Sequence, residues 1–187
     1  MYGSNLLKER FVCYLEGKPF QGAPNARVPR RCDSGTSVLD DRPFRLPFQL
    51  YFARHAAIWG GGGVAFLGIE RVTPPPTLGR VYLLTIHQFT HVAKEENGGS
   101  RPVRVTREAL FGSPFQIREG GWYNVLVPCS SLDVIPVVTI TGWPEDTRPR
   151  NPPSESYLEA IRAGLRETYP SMSLSAIDEY LQAARSV

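Results

Sequence analysis

Apolar and polar positions alternate in ways that divide the chain into a strand-rich centre flanked by helical segments. Leu7 to Leu15 reads as a short helix passing into strand. Pro47 to Phe52, Val64 to Glu70 and Gly79 to Thr85 are rich in β-branched and aromatic residues and bounded by turn formers, which marks them as strands. In the last of these Val81, Leu83 and Thr85 alternate with Tyr82 and Leu84, so both faces are apolar and a central strand is expected. The period then changes: Phe89, Val92, Ala93 and Glu96 fall at i, i+3, i+4 and i+7, one face of a helix from His87 to Glu96. Asn97, Gly98 and Gly99 end it. A short helix is expected around Arg107 to Phe111, then two strands, Trp122 to Pro128 and Asp133 to Gly142, joined near Cys129 to Leu132. Ser154 is placed to cap a helix with Tyr157, Leu158, Ile161 and Leu165 on one stripe. A second helix begins near Ser175, with Asp178 at capping-box spacing and Ile177, Tyr180, Leu181 and Ala184 on one side. Strands, one helix, strands and terminal helices in that order predict an α+β fold rather than alternating βαβ units.

Composition narrows this reading. With 187 residues, 42% of them hydrophobic, the chain suits a single domain over 1–187. The 17 glycines and 17 prolines show no triplet period, which excludes collagen and argues against a helix bundle. They crowd the connections, above all 16–46, expected to hold little regular structure, and 147–153. No stretch approaches the roughly 20 apolar residues of a spanning helix. Lys8, Glu9 and Arg10 stand where a secretory signal needs its apolar core, so a cytoplasmic location is expected. Cys13, Cys32 and Cys129, odd in number and widely spaced, fit buried reduced thiols rather than a disulfide framework or zinc site. The net charge is +3, and Arg27, Arg30 and Arg31 form the tightest basic cluster, in a proline-containing loop. A nucleic-acid binder concentrates such charge on one element, so a solvated surface is expected instead, with no nucleic-acid or membrane partner.

Candidate chemistry begins with a carboxylate on an apolar helix face, because burying a charge is costly unless it is paired. Glu96 is that residue, with Glu95 pointing elsewhere. His87, His91 and Glu95 lie at i, i+4 and i+8 on the opposite face, but two turns separate the ends and no glutamate follows the first histidine, so no metal is expected. No Gly-x-Ser-x-Gly elbow is present, and Gly60 to Gly63 lacks the spacing of a phosphate loop; it reads as a tight turn before a strand, its amides open to a pocket. At the start of the chain, Tyr2-Gly3-Ser4-Asn5-Leu6 combines glycine, which lets backbone approach a ligand, with short polar side chains.

This Tyr-Gly-Ser-Asn run resembles the hallmark loop of the gamma-glutamylcyclotransferase-like family. Later features follow in the same order: Trp59 with its glycines resembles the family's Trp-x-Gly-Gly segment, and Gly79-Arg80-Val81-Tyr82 its Gly-x-Val-Trp/Tyr strand. The family's helix ends in Leu-Asp-x-x-Glu-Gly, and that glutamate falls on Glu96, within Val92-Ala93-Lys94-Glu95-Glu96-Asn97. Gly121-Trp122-Tyr123 resembles the Gly-x-Tyr start of a strand, and Pro153-Ser154 with Tyr157, Ile161 and Gly164 the terminal helix. Three departures stand out. Val-Ala replaces Leu-Asp, Asn97 replaces the glycine, and only Met1 precedes a loop that the family sets several residues into its first strand.

The resemblance implies a small mixed β-barrel or bent sheet with a helix on one side, C-terminal helices and a pocket at the barrel mouth. It implies release of 5-oxoproline from a gamma-glutamyl amino acid, amine or peptide, with no cofactor or metal. Glu96 would be the general acid and base, with Glu95 as rival; Tyr2, Gly3, Ser4, Asn5, Leu6 and Tyr157 would hold substrate. The alternatives are a binding module that keeps the cleft without the chemistry, or a related gamma-glutamyl or acyl transfer step.

Overall fold

The computed structural model describes residues 1–74 and 76–186; Pro75, the middle of the expected Pro74–Pro76 turn, lies outside them. The α+β expectation holds. A 3-10 turn over Gly3–Leu6 leads directly into helix α1 (Lys8–Glu16), which ends on Gly17 in the left-handed region without passing into a strand. After an irregular 17–39 come strands β1 (Asp40–Leu46), β2 (Phe48–Ala53), β3 (Val64–Arg71) and β4 (Thr77–Leu83), helix α2 (Ile86–Glu96), the short β5 (Phe115–Gln116) and the β6 (Val125–Leu132)–β7 (Ile135–Thr141) hairpin. Helices α3 (Glu155–Thr168) and α4 (Leu174–Arg185) close the chain.

Of the expected barrel or bent sheet, no closed barrel forms among the described residues. Three antiparallel units form, β1–β4, β2–β3 and β5–β6–β7, and no named strand pairs in parallel. Side chains replace backbone ladders at the seams. The Thr141 hydroxyl accepts from the Leu67 N–H (2.9 Å) and donates to the Leu67 carbonyl (3.0 Å), joining β7 to β3. Thr77 Oγ1 donates to the Phe48 carbonyl (2.6 Å), joining β4 to β2. β4 has only β1 as a ladder partner and is not central; its other edge meets Met1, which exchanges hydrogen bonds with Arg80 at 2.7 and 2.9 Å.

Three departures are local. β1 lies inside the expected connection and was not anticipated, because Asp40-Asp41-Arg42-Pro43 is an edge segment without an apolar period. The hairpin turns at Asp133–Val134 rather than near Cys129 to Leu132, since Asp133 adopts φ +54°, which aspartate tolerates better than most residues. Ser154 caps α3 as expected, whereas α4 is capped by Ser173, whose hydroxyl accepts from Ala176 N–H, and not by Ser175. All three cysteines are buried and free, and no helix among the described residues is long and apolar enough to cross a membrane.

Helix α2 lies between two apolar clusters. Val92 packs with Phe11, Tyr14, Leu15 and Cys32, while Phe89 and Ala93 pack with Ile117, Leu126 and Ile140. The opposite, polar face of α2 is covered by 17–39 and the end of α1: Gln88 Nε2 donates to the carbonyls of Gly35 and Ser37, and His91 Nε2 lies 3.0 Å from those of Tyr14 and Arg30. His87, His91 and Glu95 are therefore not gathered, and among the described residues no three His, Cys, Asp or Glu side chains group as a metal site.

One buried guanidinium ties the N-terminal turn to the sheets. Arg80, with 8% of its side chain exposed, donates to Asp41 through Nε (2.7 Å) and Nη2, reaches Glu167 at 2.9 Å, and donates to the Leu6 carbonyl at 3.1 Å. Burial works against the Asp41 charge, but hydrogen bonds from Lys8 and Arg80 outweigh it and hold that carboxyl below its ordinary value. Removing one partner of such a pair costs about 3 to 5 kcal/mol, because the other charge stays buried. Arg80→Met is expected to lower stability toward that range in urea unfolding. The Asp41 contribution is fully present above the unfolded-state pKa of about 3.9 and is lost as pH falls through the lower folded value. Asp41→Asn should flatten that part of the acid-unfolding curve.

Candidate active site

A cavity of about 260 Å³ opens where the N-terminal turn, α1, the end of α2, β3 and α3 meet. Tyr2, Ser4, Asn5, Glu95, Glu96 and Tyr157 line it, together with Arg10, Tyr14, Arg27, Trp59, Trp122 and Tyr123. Gly3 and Leu6 are not among the residues that line it.

The turn reaches the cavity because its own backbone is clamped. Gly3 has φ +62°, and a Cβ there would sit 2.7 Å from the Tyr157 hydroxyl oxygen and 2.9 Å from Ala65 Cβ. Tyr157 packs edge-on to Trp59 (4.9 Å between centroids), and its hydroxyl accepts from the Ala65 N–H at 3.1 Å. Burial pushes its phenol up to about 12, so it stays neutral at physiological pH. Tyr2 is buried and Tyr123 half-buried, and desolvation raises both phenols well above the ordinary value. Tyr2 donates to Ile140 O (2.9 Å) and Tyr123 to Ala65 O (3.0 Å).

Asn5 and Glu96, 91 positions apart, come together: Asn5 Nδ2 donates to Glu96 Oε1 at 2.5 Å. Asn5 Oδ1 is buried without a protein donor. The two glutamates of α2 differ in surroundings, and their burial runs opposite to the helical-face argument. Glu95 is 2% exposed, its carboxylate wedged against Gly99 and 2.8 Å from an Arg27 guanidinium nitrogen that also donates to the Glu95 carbonyl (2.7 Å). Glu96 is half-buried on the cavity wall. The reason is tertiary, since 17–39 carries Arg27 over the Glu95 face. Both carboxylates stand in the last turn of α2, where the helix dipole disfavours anions, so the Arg27 charge and the Asn5 amide offset an intrinsic cost.

Other site residues escaped the sequence reading. Asn97, where the resemblance expects glycine, clamps the neighbouring wall: its Nδ2 donates to Tyr123 O (2.8 Å) and its Oδ1 accepts from Tyr123 N–H (3.0 Å). Arg10 and Tyr14, at i and i+4 on the buried face of α1, are hydrogen-bonded at 2.5 Å. Arg10 could have been found by the test that singled out Glu96, as a charge on an apolar helix face. The Gly60–Gly63 amides do not open to the cavity; Gly63 N–H donates to Pro152 O (2.8 Å), and the run packs on 151–154, where the Ser154 and Ser156 hydroxyls donate to Trp59 O.

No protein-family model matches the chain. Among curated proteins, histone deacetylase 5 of Arabidopsis thaliana is 28% identical over 182 residues, covering 89% of this chain but 27% of that protein. Among solved structures, the uncharacterized human protein loc79017 aligns with a TM-score of 0.53 at 17% identity, over 99% of this chain and 85% of that one. At that identity the likeness is one of fold. The chain is thus an α+β protein that shares its fold with loc79017 and carries a carboxylate-bearing cavity beside its N-terminal turn.

Gly3→Ala is expected to destabilise the protein by at least about 1 kcal/mol, from left-handed strain and the clash with Tyr157. Thermal unfolding measures this, and Gly3→Ala combined with Tyr157→Phe should recover part of the loss.

Proposed function

We propose that the cavity cyclises a gamma-glutamyl group to 5-oxoproline, as the resemblance to the gamma-glutamylcyclotransferase-like family implies. The observation that carries this reading is the Asn5–Glu96 contact, in which the signature loop and the helix-borne glutamate meet at one cavity wall. The shared fold with loc79017 supports the frame. The match to the Arabidopsis protein involves 27% of that chain, and the reading rests on this protein's own residues.

The substrate's α-amine attacks its own γ-carbonyl carbon. A carbon–nitrogen bond forms, the ring closes, and the bond to the departing amine breaks. Nucleophile and electrophile share one molecule, so alignment supplies much of the acceleration; well-oriented intramolecular reactions gain roughly 7 to 11 kcal/mol. An α-amine has a pKa of about 7.7 to 8.0 and is mostly protonated at neutral pH. Glu96 Oε2 takes a proton from this nitrogen and returns one to the departing nitrogen, while Asn5 holds Oε1. The Ser4 amide is turned to the Tyr157 phenol oxygen, and the Tyr157 O–H, which burial keeps protonated, is assigned as donor to the developing oxyanion.

Glu96→Gln, nearly isosteric, is expected to cut 5-oxoproline release by about 10²- to 10⁴-fold with circular dichroism unchanged. Incubation with gamma-glutamyl amino acids, gamma-glutamyl amines and glutathione, followed by chromatographic detection of 5-oxoproline, measures it. Glu95→Gln should act chiefly on stability by unpairing Arg27. Loss of turnover in Glu95→Gln with turnover kept in Glu96→Gln would reverse the assignment, and ligand binding without turnover across the panel would leave a binding module.

A further inference from the structure

The cyclisation reading uses the anionic wall of the cavity and leaves its deepest cation unassigned. Arg10 is 7% exposed, lines the cavity, and is covered by the faces of Tyr14, Phe20 and Trp59 at 4.4, 5.9 and 6.0 Å from its guanidinium carbon. Its one side-chain hydrogen bond among the described residues goes to the Tyr14 hydroxyl, and Nε is buried with no acceptor. A guanidinium this deeply buried ordinarily has a carboxylate against it, as Arg80 has Asp41 and Glu167. Arg10 has none within ion-pair distance among the described residues, although the charge of Glu96 is near enough to help hold it protonated. The other cation of the cavity, Arg27, is already engaged by Glu95. One unpaired cation and one anion without an ionic partner, Arg10 and Glu96, therefore bound the same small cavity.

We propose that Arg10 is the carboxylate-binding residue of this site, and that the cavity takes the zwitterionic end of an amino acid. The ligand's α-carboxylate meets the Arg10 fork and its α-amine meets Glu96. A guanidinium offers a carboxylate two parallel N–H donors, which an ammonium does not, and its stacking on aromatic rings fixes the plane of the fork. Identifying the ligand as a gamma-glutamyl group rests on the cyclisation reading; the carboxylate subsite does not. Within that reading Arg10 selects substrates with an underivatised α-carboxylate.

The test is titration calorimetry of the intact protein with 5-oxoproline, its carboxamide and glutarate, on wild type, Arg10→Met and Arg10→Lys. Wild type is expected to bind 5-oxoproline at least 10-fold more tightly than the carboxamide. In Arg10→Met this preference should fall to about 1-fold, and glutarate binding should be lost. Arg10→Lys should keep a reduced preference, since it restores charge without the fork. Because Arg10 has no ionic partner, Arg10→Met should melt at or above the wild-type temperature, where a purely structural arginine would lower it. Glutarate binding that depends on Arg10, without binding or release of 5-oxoproline, would remove the cyclisation reading and keep the subsite. Survival of the carboxylate preference in folded Arg10→Met, or failure of wild type to bind either carboxylate, would overturn the proposal.

Discussion

A buried turn must have its backbone polar groups paired, and the Gly3–Leu6 turn is buried along its whole length. Few of those groups are satisfied locally, as Ser4 O is by Leu7 N–H. Asn5 O accepts from the Tyr82 hydroxyl at 2.9 Å, and Leu6 O from Arg80 at 3.1 Å and Thr168 at 3.4 Å. These donors come from β4 and the end of α3, so the turn holds only if both are in place. The Arg80–Asp41 pair extends the same requirement to β1. Phe11, stacked on Tyr82 at 3.9 Å, carries it into α1. The first six residues are thereby fixed against elements up to 162 positions away.

This arrangement explains why polar chemistry can stand in so apolar a pocket. Tyrosines supply much of the wall, with phenols that burial keeps neutral, so they act as hydrogen-bond donors without adding charge. Charge is confined to two glutamates at the end of α2 and two arginines. Arg27 answers Glu95 and closes one side, while Arg10 and Glu96 face the open volume. An anion in the last turn of a helix opposes the dipole, and helices seldom place two there without compensation. Asn5 and Arg27 provide it from the N-terminal turn and from the 17–39 segment.

Much of the fold was legible because its elements carry a period. α2, α3 and the cores of β2, β3 and β7 followed apolar spacing, and Ser154 was readable as a cap because its hydroxyl reaches an N–H three residues on. β1 was not legible: its Asp40-Asp41-Arg42-Pro43 half lies on an exposed edge and needs no alternation. In the candidate site, Asn5 and Glu96 were named from the motif, whereas the helical-face argument, which turned Glu96 inward and Glu95 elsewhere, is reversed by their burial. The greater burial of Glu95 was not, because it depends on Arg27 in a segment without a period. Arg10 entered the sequence reading only as a charge interrupting an apolar start, although Phe11, Tyr14 and Leu15 around it belong to the buried face of α1.

The sequence by itself determined the α+β class, the turn-rich connections and the residue types available for chemistry. Local propensity, capping and periodicity are properties of neighbours along the chain, and they survive without knowledge of the fold. Tertiary structure alone decided that the strands pair as three antiparallel units joined by threonine hydroxyls, that 17–39 covers the polar face of α2, and which glutamate is buried against an arginine. Each of these turns on side chains satisfying backbone groups or charges far away in sequence. Such pairings are selected by the cost of leaving a buried polar group alone, a cost that appears only once the chain has folded around it.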